Sequence, residues 1–188
     1  MNFGKKLVSV AAGIALVAGA GIAAAAPSSA AAPAAKKTTY SGVTLISFDK
    51  ALAPVAAGIV AVAPAKKDGT RLSFPVTNVV GNGIEHSGAI KIGAVEASNP
   101  VIINNDNGTG TVNVTVAGSV LPLFDIKNWK MRDSKKQGKV TTQRWQGFLH
   151  MTTNQVVVDA INAAVGQAVF TPGMGLGQIR TTIKATKG

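Results

Sequence analysis

Cysteine is absent from this 188-residue chain. That excludes disulfides, thiolate metal centres and cysteine nucleophiles, so any folded domain must hold itself together by packing alone. Histidine is nearly absent: His86 and His150 are the only two, without the H-x-H or H-E-x-x-H spacing that zinc sites use. Acids are scarce, 8 Asp+Glu against 19 Lys+Arg, and they stand singly rather than as a paired-carboxylate signature. No G-x-S-x-G elbow occurs. The glycines of GMGLG, residues 173–177, lack both a P-loop lysine and a following helix, and read as a turn into the last strand. These absences argue against hydrolysis, phosphoryl transfer and metal catalysis. The expectation is a protein that is not an enzyme.

What is present begins with a leader. Lys5 and Lys6 form a positive n-region, Leu7 to Ala18 a short apolar run, and Ala23-Ala24-Ala25 a small-residue cleavage signature. This is the order of a secretory signal. The expected organisation is a signal peptide over residues 1–25, a flexible Ala/Pro-rich leader over 26–38, and one domain over 39–188. A retained anchor helix is the rival, because the weakly apolar stretch runs on to Ala26, but it barely meets the ~20-residue apolar requirement. The expected location is secreted, extracellular or attached to the cell surface. The formal charge is +11, or +9 once Lys5 and Lys6 are removed, which favours anionic wall polymer or a membrane surface. Export argues against nucleic acid as a partner.

The rest of the chain reads as short strands. Apolar or β-branched runs fall at 40–46, 59–62, 71–77, 84–92, 101–103 and 112–116, separated by Gly, Pro, Asn and Asp. Asn104 to Gly108 supplies a hairpin turn, with residues that accept positive φ. Asp49 is placed to cap a short helical turn over 50–57, ended by Gly58. One convincing helix follows residue 151. Thr152 and Gln155 stand at capping-box spacing, Val157, Ile161, Ala164 and Val165 form one face, and Gly166 ends it. The fold class expected is mostly β: a β-sandwich or open barrel of about nine short strands, with one helix in the C-terminal half and one short helical turn.

Two groups of residues could carry function. VLPLFDIKNWKMR and VTTQRWQGFLHM flank the turn DSKKQGK, making a long cationic hairpin. Lys130, Arg132, Lys135, Lys136, Lys139 and Arg144 accompany Trp129 and Trp145, which come near one another across the strands. This ribbon is a candidate contact for anionic polymer or headgroups; its alternative role is a solvated hairpin braced by its tryptophans. Tyr40, the one tyrosine, and His86 are the candidate cofactor residues, since tyrosinate and imidazole both serve as axial ligands to haem iron. His150 alternates with Leu149 and Met151, so it points away from them.

The stretch FPVTNVVGNGIEHSGAIKI resembles the core motif of HtaA-like domains, secreted or surface haem-binding modules of actinobacteria. Phe74-Pro75, Gly83, His86, Ser87 and Gly88 stand as in that motif. The downstream order, NPVIINNDNGTGTVNVTVAG, LPLFDI and then DAINAAVGQAVFTPGMGLGQI, is similar too, and together these cover most of residues 72–179. The resemblance implies a β-rich binding domain used in haem capture, in which a tyrosine ligates iron and a histidine supports it by a hydrogen bond. The family carries its tyrosine in a Trp-Gly-x-Lys-x-Ser-Phe-x-x-Tyr stretch, and this chain has TTYSGVTLISFDKALAP instead. By resemblance the function is haem binding; the alternative is an envelope-associated structural or adhesive module that contacts anionic wall polymer through its cationic hairpin.

Overall fold

The computed structural model describes residues 37–188, so the expected signal peptide and nearly all of the leader lie outside the described residues. In chain order, β1 (Thr38–Phe48) leads through a 3-10 turn (Lys50–Leu52) and α1 (Ala53–Ala57) to β2 (Ile59–Val62), β3 (Lys66–Asp68) and β4 (Arg71–Val80). Then come β5 (Gly83–His86), β6 (Ala89–Ile92), β7 (Val95–Asn104) and β8 (Thr109–Val116). A long hairpin of β9 (Ser119–Gln137) and β10 (Val140–Met151), the helix α2 (Gln155–Val165) and β11 (Gly175–Lys187) complete the domain.

The strands pair antiparallel in the order β7-β5-β4-β1-β11-β10-β9-β8, and β8 returns to β7. Eight strands therefore close a barrel, while β6 and β2 branch from β7 and β3 lies on β4. This corrects the expectation of a sandwich or open barrel of about nine strands. The reason is the length of β7. Its first half pairs with β6 and its second half with β5, and β8 takes its other edge. Closure removes the free edges around the circuit, though the outer part of β9 beyond Trp129 is paired only with β10.

The alternation that marked the strands sorts inside from outside. On β1, Thr44 and Ile46 are buried, whereas Val43 and Leu45 are 36% and 41% exposed. The centre is filled by Ile102, Ile126, Leu149, Leu176 and Ile179, all at 1% exposure or less. Each such burial contributes about 1.5–3 kcal/mol, and with no disulfide these contacts carry the stability. Gly147 is required by this packing: a Cβ there would lie 2.6 Å from Ile126 Cγ2, 2.9 Å from the Lys127 carbonyl oxygen and 3.2 Å from the Trp129 ring.

One end of the barrel is stoppered by α2, which buries Val157, Val158 and Ile161 in the shared core. An apolar cavity of about 120 Å³ remains beneath it, between Val157 and Ile161 on the helix and Ala97, Val114 and Leu123 on the sheet. The helix cap differs from the sequence expectation. Asn154, not Thr152, accepts from the Val156 and Val157 amides, because Thr152 is buried and its hydroxyl accepts from the Asn154 amide. The buried face takes in Val158 as well, while Ala164 and Val165 are half-buried, Val165 against the core and Ala164 over the cavity. Asp49 makes no side-chain cap, whereas Gly58 does end the short helix, in a right-handed conformation, φ −76°. Gly166 does end α2 left-handed, φ 76°.

Candidate functional site: a buried polar chain and a tryptophan-lined mouth

The site is built across the upper half of the barrel by β1, β11, β10, β9 and the β4–β5 hairpin. His86 ends β5 with its side chain 5% exposed. The Ser-Gly that follows explains itself locally. Gly88 takes φ +99°, and a Cβ there would sit 2.6 Å from the Ala65 amide nitrogen, so only glycine lets the chain turn past that segment. The Ser87 amide donates to the Pro75 carbonyl at 3.2 Å and fixes the exit.

Both ring nitrogens of His86 are committed. Nδ1 lies 3.0 Å from the Pro100 carbonyl, which can only accept, so Nδ1 carries the proton. Nε2 is then the acceptor, and Thr44 donates its hydroxyl to it at 2.6 Å. Having given its proton, the Thr44 oxygen accepts from the Thr181 hydroxyl at 2.7 Å. The direction of the whole chain is thereby fixed: Thr181 to Thr44 to His86 to Pro100. All three side chains are buried, and burial pushes the His86 pKa down from 6.5 to about 4, against carbonyl hydrogen bonds that act the other way. The imidazole is neutral in ordinary conditions. The sequence reading missed Thr44 and Thr181; the available signal was a threonine at an inward position of each strand pattern, VTLIS and RTTIK.

Tyr40 does not join this chain. It lies on the inward face of β1 four residues before Thr44, half-buried against the core at the rim. Four residues of strand span about 13 Å, and the position facing His86 is held by Thr44. The tyrosine–histidine hydrogen bond implied by the resemblance is therefore replaced by a threonine–histidine one. His150 is half-buried on the opposite side from Leu149 and Met151, with Nδ1 at 3.1 Å from the Gly173 carbonyl, so the alternation held.

Trp129 and Trp145 do meet, as stacked rings with centroids 5.6 Å apart and planes inclined by 22°. They are not directly opposed. Extra residues on β9, Arg132 and one near Asn128, shift the register on either side of Trp145 and Gln146 and bring Met131 opposite Trp145, and the indoles stack on the diagonal. Stacking adds ~0.5–1.5 kcal/mol beyond burial. Trp129 is only 2% exposed, so it lies inside the barrel and not on the cationic surface to which the sequence assigned it. The hairpin cations are also divided. Lys130, Arg132, Lys135, Lys136, Lys139 and Arg144 are all exposed, but alternation turns Lys135 and Lys136 to opposite faces.

The two indoles line a mouth cavity of about 150 Å³, bordered by Val79, Asn82, Asn104 and Gln143. Among the described residues no group accepts a hydrogen bond from either indole N–H, although both nitrogens are buried. Each unpaired donor costs about 1–3 kcal/mol. Among the described residues no cluster of three or more His, Cys, Asp or Glu could hold a metal ion.

These features define a closed antiparallel barrel, stoppered at one end and opening at the other onto a polar-rimmed aromatic mouth. Solved structures with this fold include the heme binding protein HtaB from Corynebacterium glutamicum, at TM-score 0.53 and 15% identity, covering 82% of this chain and 98% of that one. A second is the C-terminal domain of HtaA from the same organism, at TM-score 0.53 and 14% identity, covering 82% of this chain and all of that one. At such identities the likeness is one of fold. Neither a family model nor a curated protein matches the sequence.

Proposed function

We propose that the chain is a non-catalytic binding protein that takes haem at the tryptophan-lined mouth of its barrel. The observation that carries the reading is the mouth itself, where two stacked indoles with unpaired N–H donors border an open cavity at the unstoppered end. The choice of haem draws on the fold shared with a heme-binding protein. Secretion belongs to the same proposal and rests on the leader sequence.

The side chains separate into those that fit haem and those that do not. His86 does not fit as an iron ligand, since both nitrogens are used and the ring is sealed. Its lack of a contacting carboxylate and its lowered pKa also make it a poor general base. Tyr40 fits: it is the one phenol, it faces inward, and it stands at the rim. A cavity of about 150 Å³ is below the ~300–1,000 Å³ of pockets that enclose such ligands, so the rim, not the interior, is the part that suits a macrocycle. Haem would supply an iron whose axial ligand sets its potential. Tyr40 would hold it, the half-buried Trp145 would offer ring surface at the mouth, and the Thr181–Thr44–His86 chain would keep the strands beneath in register.

Titration with haemin tests this. A saturable Soret band is expected, with loss or a marked shift of the band in Tyr40→Phe and retention in His86→Gln. Absence of any band in the folded protein refutes the reading.

A further inference from the structure

The outer face of the sheet carries a second surface. Directly paired residues of neighbouring strands point to the same side, so the register lays out its rows. Lys130, Gln146, Arg180 and Leu45 form one row, and Asp133, Arg144, Thr182 and Val43 the next. Beyond them lie Lys127 with Phe148 and Gln178, and Lys135 with Thr142 and Lys184. These rows hold six cations and a single acid, Asp133, which is tied to Arg144 at 3.2 Å. Of the chain's other seven acids, Asp125 continues this side of β9 one row beyond Lys127, opposite His150. Between Arg132, Arg144 and Arg180 the face dips into a groove of about 370 Å³ lined also by Val43, Leu45 and Trp145, the last shared with the mouth.

Charge alone would suit any polyanion, but the apolar side chains among the cations narrow the partner. Val43, Leu45 and Phe148 are 36%, 41% and 49% exposed on this face. A phosphate polymer has no use for them, whereas the boundary between headgroups and acyl chains accepts apolar side chains while the headgroups meet the cations. We propose that this outer face of β1, β11, β10 and β9 docks on an anionic phospholipid surface. The hairpin is half of this surface; Arg180, Lys184, Val43 and Leu45 come from the two strands beside it.

Co-sedimentation of the full chain with phosphatidylcholine vesicles, with and without phosphatidylglycerol, tests the proposal. Residues 1–36 are common to every variant and contribute equally. A cation near an anionic surface contributes about fivefold in partition, so Lys130→Gln with Arg180→Gln is expected to weaken binding to the anionic vesicles by about thirtyfold. Lys50→Gln with Lys136→Gln, of equal net charge but off this face, is expected to change it by about twofold or less. Val43→Ser with Leu45→Ser is expected to weaken vesicle binding and leave binding to soluble polyphosphate unchanged. Equal losses in the two charge pairs overturn the proposal, as does vesicle binding that ignores Val43 and Leu45 while polyphosphate binding follows Lys130 and Arg180. All positions altered are exposed, and an unchanged far-ultraviolet spectrum confirms that each variant is folded.

Discussion

Acid should loosen this barrel through one residue. His86 is buried with no charged group in its hydrogen-bond chain, and burial holds its pKa at about 4 against 6.5 for the unfolded chain. Above 6.5 neither state binds the proton and the stability is complete. As the pH falls from 6.5 toward 4 the unfolded chain takes up a proton that the native state refuses, so stability drops. Below about 4 both states are protonated and the loss stops growing. A tenfold change in proton affinity is worth 1.36 kcal/mol, so the drop amounts to about 3 kcal/mol. Against a typical domain stability of ~5–15 kcal/mol that is a large fraction. Few other groups compete in the window. The ion pairs among the described residues, Lys91–Glu96 and Arg144–Asp133, are exposed and worth ~0–1 kcal/mol each. Urea denaturation at half-unit steps from pH 7.5 to 4 gives the curve, and the difference between wild type and His86→Gln isolates this residue. Proton NMR of the histidine ring reports its titration directly. Stability that is flat from pH 6.5 to 4.5, or a His86 resonance titrating near 6.5 in the native protein, would refute the burial argument.

Two further predictions concern the same interior. Thr181→Val removes only the terminal donor and should cost about 1 kcal/mol, whereas Thr44→Val strands both the His86 acceptor and the Thr181 donor and should cost about 2–5 kcal/mol; a reversed order in urea denaturation contradicts the assigned direction of the chain. Gly147→Ala should cost ~1–3 kcal/mol by crowding Ile126 and the Lys127 carbonyl, and should alter the near-ultraviolet dichroism of the stacked indoles; wild-type spectra and midpoint would show that the gap closes without strain.

How much of this was readable beforehand depends on range. The runs at 40–46, 71–77 and 112–116 fell in β1, β4 and β8, because each is a local statement about backbone preference and one buried face. The tryptophan pair was foreseeable from hairpin arithmetic, yet its exact partners were not, since strand irregularities are set by side chains packing beneath them. His86 could be expected to be hydrogen-bonded, but its partner could not. Thr44 precedes it by 42 residues and Thr181 precedes nothing that points back to either.

Taken alone, the amino-acid order determined the β class, the helix, the cationic balance, the reliance on packing without disulfides, and the resemblance that pointed to haem. Only the tertiary structure decided that the sheet closes, that Trp129 turns inward while Lys130 turns out, and that threonine rather than tyrosine meets the histidine. Periodicity along one strand says which residues share a side. Which strand lies next to it, and in what register, is decided by contacts across the whole domain, and those contacts assemble both the mouth and the outer face.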